Sequence, residues 1–347
     1  MSEPDRVPRR SVRPLVRAGC WLVIAGAVAW LGFGHFWRHD PADTGRLDGW
    51  LAFAALCGQA FRFHLGFAIA AALVVALVVR ARRAAVLLVL LLIPTLGARA
   101  AMYGPWRGPA ADADAPGITV FSANLLYGRG DFGVVMDQIR AADPDVILFQ
   151  EYTPASAGYE AALRAAYPHA LVWPREDAFG QAVFSRLPFA REPELWHGPV
   201  GSVIPLIACE VLADGWRVAV WNVHTLPPVG SRNTIEQRRM VAWIAARATR
   251  ALGGADPPDG LVIAGDFNAP FGTNHLRELV EAGLGEAHAA VGTDAGSTWP
   301  RLWWKRHFPG IRLDHVVFGG GLAPVWSGVG DDFGSDHRPV SARFVFE

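Results

Sequence analysis

The chain has 347 residues, of which 52% are hydrophobic and 18% charged, with Lys plus Arg and Asp plus Glu equal at 32 each. This composition excludes a disordered or coiled-coil protein, and the length fits one large domain or two ordinary ones. The neutrality is a sum of opposites: residues 1–110 carry 13 Arg against 5 acids, a net of +8, while residues 111–347 carry 19 Lys plus Arg against 27 acids, a net of −8. An acidic soluble portion is a poor match for a nucleic-acid backbone, whose binding rests on cations displacing counterions. The scattered Cys20, Cys57 and Cys209 form neither a disulfide framework nor a zinc site.

In chain order, the first element is an apolar run from Gly19 to Trp37, preceded by Arg6, Arg9, Arg10, Arg13 and Arg17. It is long enough to cross a hydrocarbon core of about 30 Å. Because further apolar segments follow, it reads as an anchor and not as a cleaved signal peptide. A second span is expected over Phe63–Val79, with Trp50–Phe61 at the interface or completing a tilted helix. A third is expected over Ala84–Ala98, after Arg80, Arg82 and Arg83. The Arg clusters bracket an even pair of crossings and belong on the cytoplasmic side. The expected organisation is therefore a cytoplasmic basic N-terminus (1–18), a three-helix anchor in the cytoplasmic (inner) membrane (19–102), a linker (103–116) and an extracytoplasmic catalytic domain (117–347).

From Gly117 the hydrophobic period shortens. Gly117–Ala123, Asp145–Gln150, Gln181–Ser185, Trp216–Val223, Leu261–Ala264, His315–Phe318 and Pro339–Phe346 read as buried strands. Helical patterns at Phe132–Ala142, Ala157–Ala166, Asn233–Leu252 and Asn274–Ala282 stand between them. The alternation predicts two packed sheets with outer helices, an α/β sandwich. Polar residues cluster where strands end: Asn124, Glu151, Asn222 and His224, Asp266 and Asn268, Asp314, and Asp336 with His337. Carboxylates and amides are the hard oxygen ligands that Mg²⁺ or Mn²⁺ prefers, and paired His and Asp suit proton transfer.

These residues resemble those of the endonuclease/exonuclease/phosphatase superfamily, the deoxyribonuclease-I-like metal-dependent phosphoesterases. The resemblance rests on Asn124, Gln150-Glu151, Asn222-Val223-His224, Gly265-Asp266-Phe267-Asn268, Leu313-Asp314-His315 and Ser335-Asp336-His337-Arg338-Pro339, in the family's order. It implies a four-layered α/β sandwich and a site in which Glu151 is the principal ligand of Mg²⁺ (or Mn²⁺), with Asn124 and Asp336 nearby. By the same resemblance Asp266 orients or deprotonates the attacking water, Asn268 holds a phosphate oxygen, His224 donates to the phosphate, and His337, oriented by Asp314, stabilises the developing charge or acts as acid/base. Leu126 stands where many relatives place an acidic or amide residue, which implies a one-metal site. Asn222, Trp303 and Arg306 are expected on the substrate side, the last two from an aromatic and basic stretch suited to a membrane interface or an anionic amphiphile.

Three membrane helices before such a domain resemble the membrane-anchored VanJ-type proteins, which are thought to act on polyprenyl diphosphate lipids. The leading expectation is a phosphohydrolase of a lipid phosphate or diphosphate, with the bilayer as partner and nucleic acid disfavoured. The alternatives are an extracytoplasmic nuclease, a phosphodiesterase of soluble metabolites, or a non-catalytic binding module.

Overall fold

The computed structural model describes residues 12–38, 40, 42, 44–97, 115–199, 202, 204–300 and 310–347. The chain divides into two compact units, Met1–Trp37 with Cys57–Ala101 and Arg38–Leu56 with Met102–Glu347. The Trp303 and Arg306 expected at the substrate lie outside the described residues, as does most of the linker expected over 103–116.

The first unit is built from the helices Arg13–Phe36, Arg62–Val78 and Arg82–Leu92. They meet through Ala27, Ile69, Ala76, Ala84 and Leu88, and the small residues in this set let backbones approach closely. Among the described residues, one helix, Arg13–Phe36, is long and apolar enough to cross a membrane. A second span exists only if Arg46–Ala60 and Arg62–Val78, interrupted at Phe61, are one broken span. The expectation of three spans is thereby corrected. The apolar run at Ala84–Ala98 forms an α-helix only to Leu92, then a π-helical turn over Ile93–Gly97 that contains Pro94. Proline removes one N–H from the ladder and its ring clashes with the preceding turn. Helix and turn, 11 and 5 residues, reach about 24 Å at 1.5 Å per residue, short of the roughly 30 Å core.

The second unit contains two six-stranded mixed sheets. Its strands are β1 (Gly117–Asn124), β2 (Val146–Gln150), β3 (His169–Trp173), β4 (Gln181–Ser185), β5 (Phe189–His197), β6 (Pro205–Ala213), β7 (Trp216–His224), β8 (Gly260–Asp266), β9 (Gly285–Glu286), β10 (Asp314–Gly320), β11 (Leu322–Val329) and β12 (Val340–Phe346). The first sheet runs β11-β12-β1-β2-β4-β3 and the second β5-β6-β7-β8-β10-β9. Each has one parallel pair at its centre, β1 with β2 and β7 with β8, and antiparallel neighbours outside it.

The alternation of side chains explains the layering. On β1, Ile118 and Val120 face the other sheet, where Val218, Val220 and Val262 meet them. Phe121 and Ala123 face outward and are covered by Val135 and Ile139 of the helix Phe132–Ala142. Likewise Trp221 and Val223 of β7 are covered by Met240, Val241 and Ile244 of Gly230–Leu252. Strands buried on both faces must be apolar at nearly every position, which is why GITVF, VILF and LVIA are continuous runs. Each such fully buried Val, Leu or Phe contributes roughly 1.5–3 kcal/mol.

Candidate active site

The two parallel pairs create the site. Parallel strands end at the same edge, so Asn124 aligns with Gln150 in one sheet and His224 with Asp266 in the other. The antiparallel β10 begins where β8 ends, which pairs Asp314 with Asp266. β12 enters opposite the end of β1, with Val340 against Ser122, and this brings Ser335–Pro339 to the same edge. Six sequence-distant motifs thus converge because of strand register.

Asp266 is buried at the centre. Its Oδ2 accepts Asn124 Nδ2 at 3.2 Å and lies 3.6 Å from both His224 Nε2 and His337 Nε2. Its Oδ1 accepts the backbone N–H of Asn268 at 2.8 Å. That N–H points back because Asn268 has φ +53°, a left-handed conformation that Asn tolerates. Gly265 just before it has φ +142°, and a Cβ there would sit 1.9 Å from Val223 O, so only glycine fits. Burial raises the Asp266 carboxyl to about 6, against the pull of His337.

His337 Nδ1 donates to Asp314 Oδ2 at 2.8 Å. Burial alone would favour the neutral imidazole, but Asp314 and Asp266 outweigh it and raise His337 to about 10, so the ring is an imidazolium at neutral pH. Asp314 is fixed in turn by Thr298, whose Oγ1 accepts the N–H groups of Leu313 and Asp314 at 3.0 and 3.2 Å. Ser335 Oγ donates to Asn124 O at 2.9 Å and accepts His337 N–H at 3.1 Å, which ties the histidine loop to β1. His224 sits with its Nδ1 2.9 Å from Ala178 O, so that Nδ1 carries the proton and Nε2 faces Asp266. Burial lowers its pKa despite Asp266, leaving the resting ring neutral.

Glu151 follows β2 with φ +53°, strained for a side chain of its size and held by two hydrogen bonds. Its Oε1 accepts Asn124 Nδ2 at 3.1 Å and its Oε2 accepts Tyr127 N–H at 3.2 Å. Burial raises its carboxyl, and the nearby Asp336 adds to that effect while Asn124 and His337 oppose it. Asp336 accepts Trp299 Nε1 at 3.3 Å. Glu151 and Asp336 are hard oxygen donors, and the repulsion between the two acids is what a divalent cation would relieve, so this pair fits Mg²⁺ or Mn²⁺; Asn124, whose Nδ2 faces Glu151 while its Oδ1 accepts the Leu126 N–H at 3.0 Å, would join them through its oxygen with the amide turned over. Ligand atoms of Asp266, Asp314 and His337 also lie within 4.8 Å of one another and could in principle hold an ion. The first set is the better metal candidate, because the His337 proton occupies the Asp314 oxygen and the imidazolium repels a cation.

One expectation changes with the geometry. Asn222, expected on the substrate side, is fully buried between the sheets: its Nδ2 donates to Phe149 O and Ala182 O, and its Oδ1 accepts Gln150 Nε2 at 2.7 Å. No polar group of Asn222 is left for a ligand, and its place is that of an inter-sheet clasp. Tyr152 is buried with its hydroxyl on Ser156 O, whereas Tyr127 is 41% exposed beside Glu151. Thr298, Ser335 and Gln150 carry polar roles that residue type alone did not assign: Ser335 and Gln150 stand inside the motifs, whereas Thr298 lies 15 residues before Leu313.

A model of the Endonuclease/Exonuclease/phosphatase family matches residues 121–337. No curated protein matches the chain. Among solved structures, an endonuclease/exonuclease/phosphatase from Beutenbergia cavernae is 20% identical, with a TM-score of 0.53 over 67% of this chain and 72% of that one. A family protein from Bacteroides thetaiotaomicron is 16% identical, with a TM-score of 0.54 over 67% of this chain and 99% of that one. A mannosyl-6-phosphatase of the same organism is 17% identical, with a TM-score of 0.53 over 66% of this chain and all of its own. These likenesses agree on the fold, and the family match covers every motif from the end of β1 to His337. The chain belongs to the endonuclease/exonuclease/phosphatase family.

Proposed function

We propose that the protein is a membrane-anchored, divalent-metal-dependent hydrolase of a phosphate ester or diphosphate, most readily that of a lipid such as a polyprenyl diphosphate, at the extracytoplasmic surface. The observation that carries the catalytic part is Asp266: one buried carboxylate touched by an amide, two imidazoles and a backbone N–H drawn from both sheets.

A phosphoryl group repels hydroxide, so the reaction needs charge neutralised on its oxygens, a positioned water and donors for the transition state. Glu151, Asn124 and Asp336 would hold the divalent ion, which supplies Lewis-acid polarisation of a phosphoryl oxygen when bound. Asp266 accepts a proton from the attacking water as the water oxygen bonds to phosphorus and the bond to the leaving oxygen breaks. The His337 imidazolium, kept charged by Asp314, faces the charge that accumulates on the phosphoryl oxygens. His224 Nε2 takes a proton when the anionic phosphate binds and then donates to it, with Ala178 O fixing the ring through Nδ1.

The lipid preference and the anchor rest on the apolar helix Arg13–Phe36 and its preceding arginines, and on the net −8 of residues 111–347, which disfavours DNA or RNA. The arginines that precede this helix support an N-terminus on the cytoplasmic side. Rates on a short-chain polyprenyl diphosphate, a soluble sugar phosphate and a DNA oligonucleotide, measured side by side with full-length protein in detergent, test the reading. Faster turnover of the lipid supports it, and faster turnover of DNA or the sugar phosphate overturns the lipid assignment.

A further inference from the structure

Away from the catalytic edge, the second unit has a cavity of about 600 Å³ where the start of helix Arg46–Ala60 meets the start of helix Gly230–Leu252. The contact is built, not incidental. Ser231 Oγ donates to Arg46 O at 2.7 Å, and Gly49 packs so closely that a Cβ there would meet Ser231 Oγ at 2.3 Å.

The lining has two characters. Arg46, Arg232 and Arg239 bring three guanidinium groups, against which the lining sets one acid, Glu236, for a net of +2. Glu236 reaches only Arg239, at 3.4 Å and partly exposed, a pairing that solvent screens. The other character is apolar. Trp50 and Val229 line the cavity and stay 47% and 70% exposed, and Leu47, in the helix turn that follows Arg46, is 69% exposed. Large apolar side chains kept in contact with solvent beside an excess of cations describe a surface whose partner has an anionic head and an apolar body.

We propose that this cavity binds the phosphodiester headgroup of an anionic bilayer phospholipid and seats the hydrolase unit on the membrane. Planar guanidinium groups match phosphate oxygens in paired hydrogen bonds, and Trp at the headgroup level is the usual interfacial anchor. A free phosphate uses the arginines alone and leaves Leu47, Trp50 and Val229 uncovered. A nucleic acid likewise engages the arginines and leaves the aliphatic Leu47 and Val229 uncovered. The inference rests on the membrane-anchored reading only for the nearness of a bilayer, and none of the proposed catalytic residues lines the cavity.

The test uses full-length protein in neutral detergent, titrated with phosphatidylglycerol, phosphatidylcholine and inorganic phosphate and read by native mass spectrometry. Phosphatidylglycerol should bind in preference to the other two. The Arg232→Gln/Arg239→Gln variant should bind it about 30-fold more weakly, roughly fivefold for each cation removed. Glu236→Gln should bind it at least as tightly as the parent. Hydrolysis of a soluble phosphoester by the same samples reports folding and the catalytic site separately. Unchanged phosphatidylglycerol binding by the double variant, equal binding of phosphatidylcholine, or binding of inorganic phosphate as tightly as of the lipid would each overturn the proposal.

Discussion

His337 stands in the loop that leads into β12 and Asp266 ends β8 of the other sheet, yet His337 Nε2 lies 3.6 Å from Asp266 Oδ2. The separation is set by two central parallel pairs that end at one edge, and it places a charged acid beside a carboxylate of raised pKa. Two groups whose environments push their titrations apart are the usual mark of an acid/base division of labour.

The first prediction concerns pH. Asp266 must be ionised to take a proton, and burial raises it to about 6, so activity should rise with pH through that region. It should fall as His337, raised to about 10 by Asp314 and Asp266, loses its proton. In Asp314→Asn the largest stabiliser of the imidazolium is gone, and the alkaline limb should move to lower pH. A kcat/KM profile of both proteins on a soluble phosphoester checks this, and an unmoved alkaline limb would refute the assignment of that limb to His337.

His337→Ala should lower kcat by about 10²–10³-fold, the range typical of losing one donor that faces transition-state charge. The fold should survive, because the last strand is held by its ladders to β1 and β11. A circular dichroism melt beside the rate measurement separates the two effects.

Asn222→Ala should behave in the opposite way. It leaves buried groups of Phe149, Ala182 and Gln150 without their amide partner, at about 1–3 kcal/mol for each unsatisfied group. The melting temperature should drop while KM stays at the parent value. A raised KM with an unchanged melt would restore Asn222 to the substrate side.

How far the sequence alone reaches is visible in these residues. Continuous apolar runs marked the central strands, since only strands buried on both faces have that pattern. The strands at the margins escaped notice for physical reasons. β5 carries Arg191, Glu192, Pro193 and Glu194 on a half-exposed edge, β3 is five residues of which none is buried, and β11 contains Pro324 and an irregular register. The polar residues that strand register brings to one edge were legible by type and order. Asn222 was misplaced because its neighbour across the sheets, Gln150, is 72 residues away in the chain. The third membrane span failed at Pro94, where hydrophobicity continues but the α-helix does not.

Acid stability supplies a prediction remote from catalysis. Burial would raise the Glu286 carboxyl, but Arg312 and His315 outweigh it and hold it well below the usual carboxylate range. His288 chiefly holds Asp294 down, at about 2. A depressed folded pKa stabilises the protein above the unfolded value and loses that contribution as pH falls through the folded one. Stability should therefore decline from about pH 4.5 downward. Glu286→Gln should destabilise the protein at pH 7 and flatten this acid limb, as urea melts at pH 7, 4.5 and 3 would show.

The most direct test of the central claim is phosphate or phosphoester hydrolysis by full-length protein in Mg²⁺ and after EDTA, beside Asp266→Asn and Glu151→Gln. Turnover should need the metal, Asp266→Asn should lose several orders of magnitude, and Glu151→Gln should show a weaker response to Mg²⁺ matched by weaker Mn²⁺ binding in paramagnetic resonance. Turnover that persists in EDTA, or that Asp266→Asn retains at the parent rate, would contradict that claim.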